Sequence, residues 1–96
     1  MADFAAAKPL AQAPGEAFNY SSGSTLILAQ VFKERLGGEL AGAYRTLQEK
    51  LMHPLGIRQA VVQADASGTL VFGMQDLIAT RDLARLGQLI LQQGQW

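Results

Sequence analysis

The chain has no cysteine, which removes any disulfide framework and any thiolate nucleophile and leaves the redox compartment open. It has a single histidine, and no carboxylates stand at a spacing that would complete a zinc site around it. Charge of either sign is scarce. Eight basic and eight acidic residues cancel, and no stripe of Lys or Arg forms, so binding to nucleic acid or to an anionic membrane has no electrostatic support. No apolar run approaches the roughly 18 residues of a membrane span. The opening "MADFAAAKPL" has an acid at Asp3 and no clean apolar stretch before a cleavage site, so it does not read as a signal peptide. Internal repeats and low-complexity tracts are absent too.

What remains is a 96-residue chain that is 49% hydrophobic, which excludes disorder on composition. The length suits one small domain with a modest core, burying well under about 70% of the surface of its unfolded form. Residues 1–13 are Ala-rich and weakly patterned, and Pro9 and Pro14-Gly15 mark them as a loop-like lead-in. After Ser24 the residues Leu26, Ile27, Leu28, Ala29, Val31, Phe32 and Leu36 predict a largely buried helix of about a dozen residues. Gln30, Lys33, Glu34 and Arg35 form its narrow wet edge, Ser22 or Ser24 its N-cap, and Gly37-Gly38 its left-handed C-cap.

Leu40, Ala43, Tyr44, Leu47 and Leu51 predict a second helix over 39–52, with Tyr44 in the core and Pro54 as the stop. His53 reads as a solvated helix-end residue. "QAVVQADASGTLVFG" suggests a small hairpin that pairs 59–64 with 69–72. A third helix is expected from Thr80 as N-cap, with Asp82 in its first turn, Leu83, Leu86 and Ile90 on one face, and an end near Gly94. Arg81 and Asp82 are given structural roles, and Trp96 an exposed one. The expectation is a mainly α chain of about three helices with a small hairpin. It is more apolar than an isolated domain of this size can cover, which predicts self-association or binding to further protein.

One stretch asks for more than packing. "PGEAFNYSSGSTLILAQV" sets Tyr20-Ser21-Ser22 directly before an apolar helix. Together with Pro9-Leu10, "LMHPLGI" and "GTLVFG…ATRDLARLGQLILQQGQW", in that order over residues 9–96, it resembles the serine hydrolases of β-lactamase-type fold. That group includes class C β-lactamases, penicillin-binding esterases, D-amino-acid peptidases and 6-aminohexanoate-dimer hydrolases. The resemblance implies a parent of α+β, transpeptidase-like architecture, of which 1–96 is a partial domain containing much of the helical part.

By that resemblance Tyr20 is catalytic: it moves protons beside the Ser and Lys of a Ser-x-x-Lys motif during acyl-enzyme formation and hydrolysis. Ser22 becomes a substrate contact, the substrate is a small acyl compound, and neither a metal nor an organic cofactor is implied. A free tyrosine, with a pKa near ~10, needs a nearby cation to serve as a base at neutral pH. The sequence departs from the pattern twice. Ser22 stands where a Tyr-x-Asn motif has asparagine, and one hydroxyl cannot reproduce the paired geometry of an amide, which leaves the substrate class open among ester, amide and β-lactam. No lysine has a serine three residues before it, and no Lys-Thr-Gly or His-x-Gly strand follows residue 90. The chain alone is therefore expected to be inactive, a fragment of its parent. Two further readings stand beside this one: a helical interaction module that dimerises through its apolar faces, and a degenerate, non-catalytic relative. In the bland reading Tyr20 is a half-buried anchor of a turn and Ser21 merely shapes it.

Overall fold

The computed structural model describes residues 1–74 and 76–96. Among these residues four α-helices and one two-stranded antiparallel sheet follow in the order α1 (Ala2–Ala6), α2 (Ser22–Arg35), α3 (Leu40–Leu47), β1 (Ala60–Val61), β2 (Leu77–Ile78) and α4 (Thr80–Leu91). A π-helical turn, Gln48–Met52, continues α3. The chain is thus mainly helical. Among the described residues no helix is long and apolar enough to cross a membrane.

The first departure from expectation is at the start, where 2–6 form a helix instead of a loop. A short helix is marginal alone, and this one is held by packing: Ala2 is buried in a cluster with Leu26 and Val71, to which Met74 adds a partly buried side chain.

Helix α2 is less buried than its composition suggests. Only Leu26, Ala29 and Lys33 are buried along it, while Leu28 and Val31 are exposed. Lys33, expected on the wet edge, turns inward, and its Nζ donates to the Ser67 carbonyl at 3.0 Å. Gln30 lies on the same side and accepts from the Thr69 hydroxyl at 2.6 Å. The polar edge of α2 faces the 65–69 turn, because that turn offers it hydrogen-bonding partners. The helix ends as predicted in a Schellman motif. Gly38 N–H donates to Lys33 O and Gly37 N–H to Glu34 O, with both glycines at positive φ (95° and 79°).

The second helix covers the expected span, with Glu39 as N-cap and Tyr44 half-buried. Its stop differs. His53, the residue before proline, keeps helical geometry (φ −64°, ψ −47°). The chain reverses only at Gly56, whose φ of 68° allows Ile57 N–H to reach Met52 O and Gly56 N–H to reach His53 O. The termination belongs to the glycine rather than to Pro54.

The predicted hairpin is half right. Ala64 bridges Leu70, Val71 N–H donates to Gln63 O, and Asp65 N–H donates to Thr69 O. But Ala60–Val61 pairs with Leu77–Ile78, in register Ala60↔Ile78 and Val61↔Leu77, and not with 69–72. The tip is tightened by Asp65, whose Oδ1 accepts from Ser67 N–H (2.9 Å), Ser67 Oγ (2.6 Å) and Thr69 N–H (3.0 Å). Thr69, Leu70 and Val71 then enter the core instead of extending an exposed ladder.

Helix α4 begins with Thr80 as its first residue and Ala79 as N-cap, without a side-chain cap, and it ends at Leu91. Gly94 N–H returns to Leu89 O, which places the helix end three residues before that glycine. Of its apolar residues Leu86 and Leu89 are half-buried, whereas Leu83, Ile90 and Leu91 are exposed.

Candidate functional site

Tyr20 and Ser22 flank the entrance to α2. Ser21 is the N-cap, extended at φ −146° and ψ 127°, and its carbonyl accepts both the Thr25 N–H and the Thr25 hydroxyl at 3.3 Å. Its own side chain makes no capping bond, so neither Ser22 nor Ser24 is the cap that the sequence suggested. Ser22 is the first helical residue and half-buried. Tyr20 is 81% exposed, and its hydroxyl has no hydrogen-bond partner among the described residues. It therefore does not anchor the turn by burial.

Helix α1 approaches this entrance closely. A Cβ at Gly23 would stand 3.3 Å from both Ala5 Cβ and Ser21 Oγ, so the missing side chain is what admits α1. Beside the contact lies an open cleft of about 590 Å³, whose lining includes Phe4, Lys8, Leu10, Asn19, Ser21 and Ile27. Tyr20 and Ser22 do not line it. The Lys8 ammonium sits over the Phe4 ring, 4.2 Å from its centroid, and Lys8 lines the cleft together with Met1. The fold brings Asn19 and Ser21 into the cleft and leaves Tyr20 on the open surface.

A second polar centre was not singled out as a site from the sequence. Asp82, buried in the first turn of α4, accepts the Arg58 and Gln59 N–H groups on Oδ2 at 3.1 Å each. Its Oδ1 accepts from Arg85 Nη1 at 2.6 Å, and the same Nη1 donates to the Gly56 carbonyl. The backbone bond from Gln59 leads in holding the Asp82 carboxyl below its ordinary value, with the Arg58 N–H and the Arg85 charge acting the same way. Burial opposes them. The i, i+3 spacing of Asp82 and Arg85 was legible; the Gly56, Arg58 and Gln59 backbone they grip was not, because it arrives through a tertiary contact.

His53 and Trp96 are exposed, as expected, and so is Arg81, which was given a structural role. Among the described residues no three His, Cys, Asp or Glu side chains converge into a cation-holding group. No family model, curated protein or solved structure matches the chain.

Proposed function

We propose that this chain is the helical part of a β-lactamase-like serine hydrolase, an α+β parent in which Tyr20 handles protons for a Ser-x-x-Lys pair on further polypeptide docked against it. The observation that supports the reading is the amount of surface left open. A folded monomer of 10.3 kDa has about 5,400 Å² of accessible surface, and this chain has 7111 Å². The excess, roughly 1,700 Å², is ample for one side of a stable protein–protein interface. The radius of gyration, 14.7 Å, exceeds the ~12.5 Å of a compact domain of this length. Phe18, Tyr20, Leu28, Ile90 and Leu91 are all more than half exposed, and they flank the α2 entrance or lie on helix faces that have no cover.

In the proposed reaction the serine hydroxyl adds to the acyl carbon while lysine and Tyr20 take its proton. Collapse of the tetrahedral intermediate expels the alcohol or amine, which receives the proton, and leaves an acyl-serine. Water then attacks the ester and gives a proton to the same pair, which returns it to the departing serine oxygen as the acid is released. Ser22 offers one hydroxyl to the substrate, whether ester, amide or β-lactam.

The test is to isolate the native polypeptide that carries this sequence, with anything bound to it, and treat it with a fluorophosphonate. The expected result is labelling of a serine in a Ser-x-x-Lys motif, with Tyr20→Phe lowering kcat on p-nitrophenyl acetate by about 10²–10⁴. Absence of labelling, or full activity in Tyr20→Phe, would overturn it. The exposed Leu83, Ile90 and Leu91 face of α4 would then favour an interaction module.

A further inference from the structure

We infer that the cavity between α4 and the segment after the π-helical turn binds the phosphate group of a small phosphorylated molecule. The cavity measures about 550 Å³, and Arg58, Arg81 and Arg85 all line it, with Gly56, Gln59 and Asp82. Three of the chain's five arginines therefore meet at one place, in a protein whose net charge is zero.

Among the described residues Asp82 is the single carboxylate of the lining, and it cannot neutralise them. Asp82 spends Oδ2 on two backbone N–H groups and Oδ1 on Arg85. Three guanidiniums against one carboxylate leave two positive charges uncompensated in the lining. The side chains of Arg58 and Arg81 are exposed and, among the described residues, have neither a hydrogen bond nor an ion pair.

Arg85 is the fixed member. Its Nη1 is held by Gly56 O and Asp82, and its guanidinium lies 3.6–3.9 Å from where a Cβ would stand on Gly56. With Nη1 committed, Nη2 and Nε remain to donate. A planar guanidinium fixed at one edge and two exposed ones suit an oxyanion of two charges, since Arg recognises phosphate by paired, parallel hydrogen bonds. The cavity is also within the ~300–1,000 Å³ range of small-molecule sites and larger than phosphate alone requires, which leaves room for an organic group. None of these residues includes Tyr20 or Ser22, so the inference stands apart from the proposed hydrolase chemistry.

The experiment is an NMR titration of the full chain at low ionic strength, with inorganic phosphate in one arm and glycerol phosphate in the other. Saturable shifts at the amides of Arg58 and Arg81 and at Arg85 Nε–H are expected. Tighter binding of the ester would assign the site to phosphorylated molecules, whereas equal binding would overturn the organic part and leave a free-phosphate site. Arg58→Gln/Arg81→Gln should weaken binding by about tenfold per arginine at an unchanged thermal midpoint, and Arg35→Gln should change nothing. Shifts that never saturate, or a double variant that binds like the parent, would overturn the site altogether. Arg85 is left intact because its loss would orphan Asp82.

Discussion

Asp82 and Arg85 form an ion pair of 2.6 Å one turn apart on α4, and the same carboxylate clasps the Arg58 and Gln59 backbone. This pair fastens the last helix to the chain leaving the π-helical turn. Asp82→Ala would strand two backbone donors together with the Arg85 guanidinium, and cooperative thermal unfolding should be weakened or lost. Asp82→Asn should fare little better, because an amide that accepts the backbone bonds turns its NH₂ donor toward Arg85. Arg81→Ala, one residue away and exposed, should leave the transition in place. Calorimetry on the three variants checks this order.

Acid should unfold the protein through Asp65 and Asp82. The Asp65 carboxyl is held well below the usual carboxylate range, first by the Ser67 hydroxyl and further by the Met1 ammonium, 2.9 Å away, and the Thr69 and Ser67 N–H groups, against the opposing effect of burial. A group whose folded pKa is depressed contributes stability above its unfolded value and loses it as pH falls toward the folded one. The loss should therefore begin below about pH 4. Asp76 works the other way: burial raises its pKa, outweighing bonds from the Gln63 and Gly73 backbone, so its protonation favours the folded state and offsets part of the loss. Urea titrations from pH 7 to pH 2.5 should show a falling midpoint, and Asp65→Asn should flatten the curve at the cost of a lower plateau.

The three longer helices could be read from spacing because their period, the Gly37-Gly38 terminator of α2 and the acidic first turn at Asp82 are local features, whereas α1, expected as loop, forms only through the packing of Ala2. What escaped is non-local. Lys33 was assigned to solvent because its neighbours in sequence are charged, yet the carbonyl of Ser67, 34 residues on, gives its ammonium an acceptor. Leu77–Ile78 is too short to announce itself as a strand, and only Ala60–Val61 across from it makes it one. The candidate site divides similarly. The Tyr20-Ser21-Ser22 pattern is visible in one line of sequence, whereas the meeting of Arg58 with Arg81 and Arg85 depends on the path taken after Gly56.

Lys33 separates the contribution of its stem from that of its head. Lys33→Met keeps most of the apolar stem and gives up the bond to Ser67 O, a net loss of about 1 kcal/mol, since the exposed Ser67 can turn to water. Lys33→Ala gives up the packing as well and should cost about 2–3 kcal/mol. Chemical denaturation of both measures the difference. If the two fall equally, the hydrogen bond and not the packing carries the residue.

Two helical glycines offer a paired test of close packing, because the same substitution should act with opposite sign. At Gly42 in α3 an added Cβ would stand 2.8 Å from the carbonyl oxygen of Leu36, and backbone at that distance cannot swing aside as a side chain could. Helix propensity gains about 1 kcal/mol from Gly→Ala, but overpacking costs about 1–3 kcal/mol, so Gly42→Ala should destabilise by about 1 kcal/mol. At Gly87 in α4 the added methyl meets nothing within 4 Å. Only the propensity and the reduced freedom of the unfolded chain then act, and Gly87→Ala should stabilise by about 0.5–1 kcal/mol. Denaturant midpoints moving in opposite directions would establish that α3 is seated against the Leu36 turn while this side of α4 is open. A gain in both would mean that the α2–α3 junction relaxes easily.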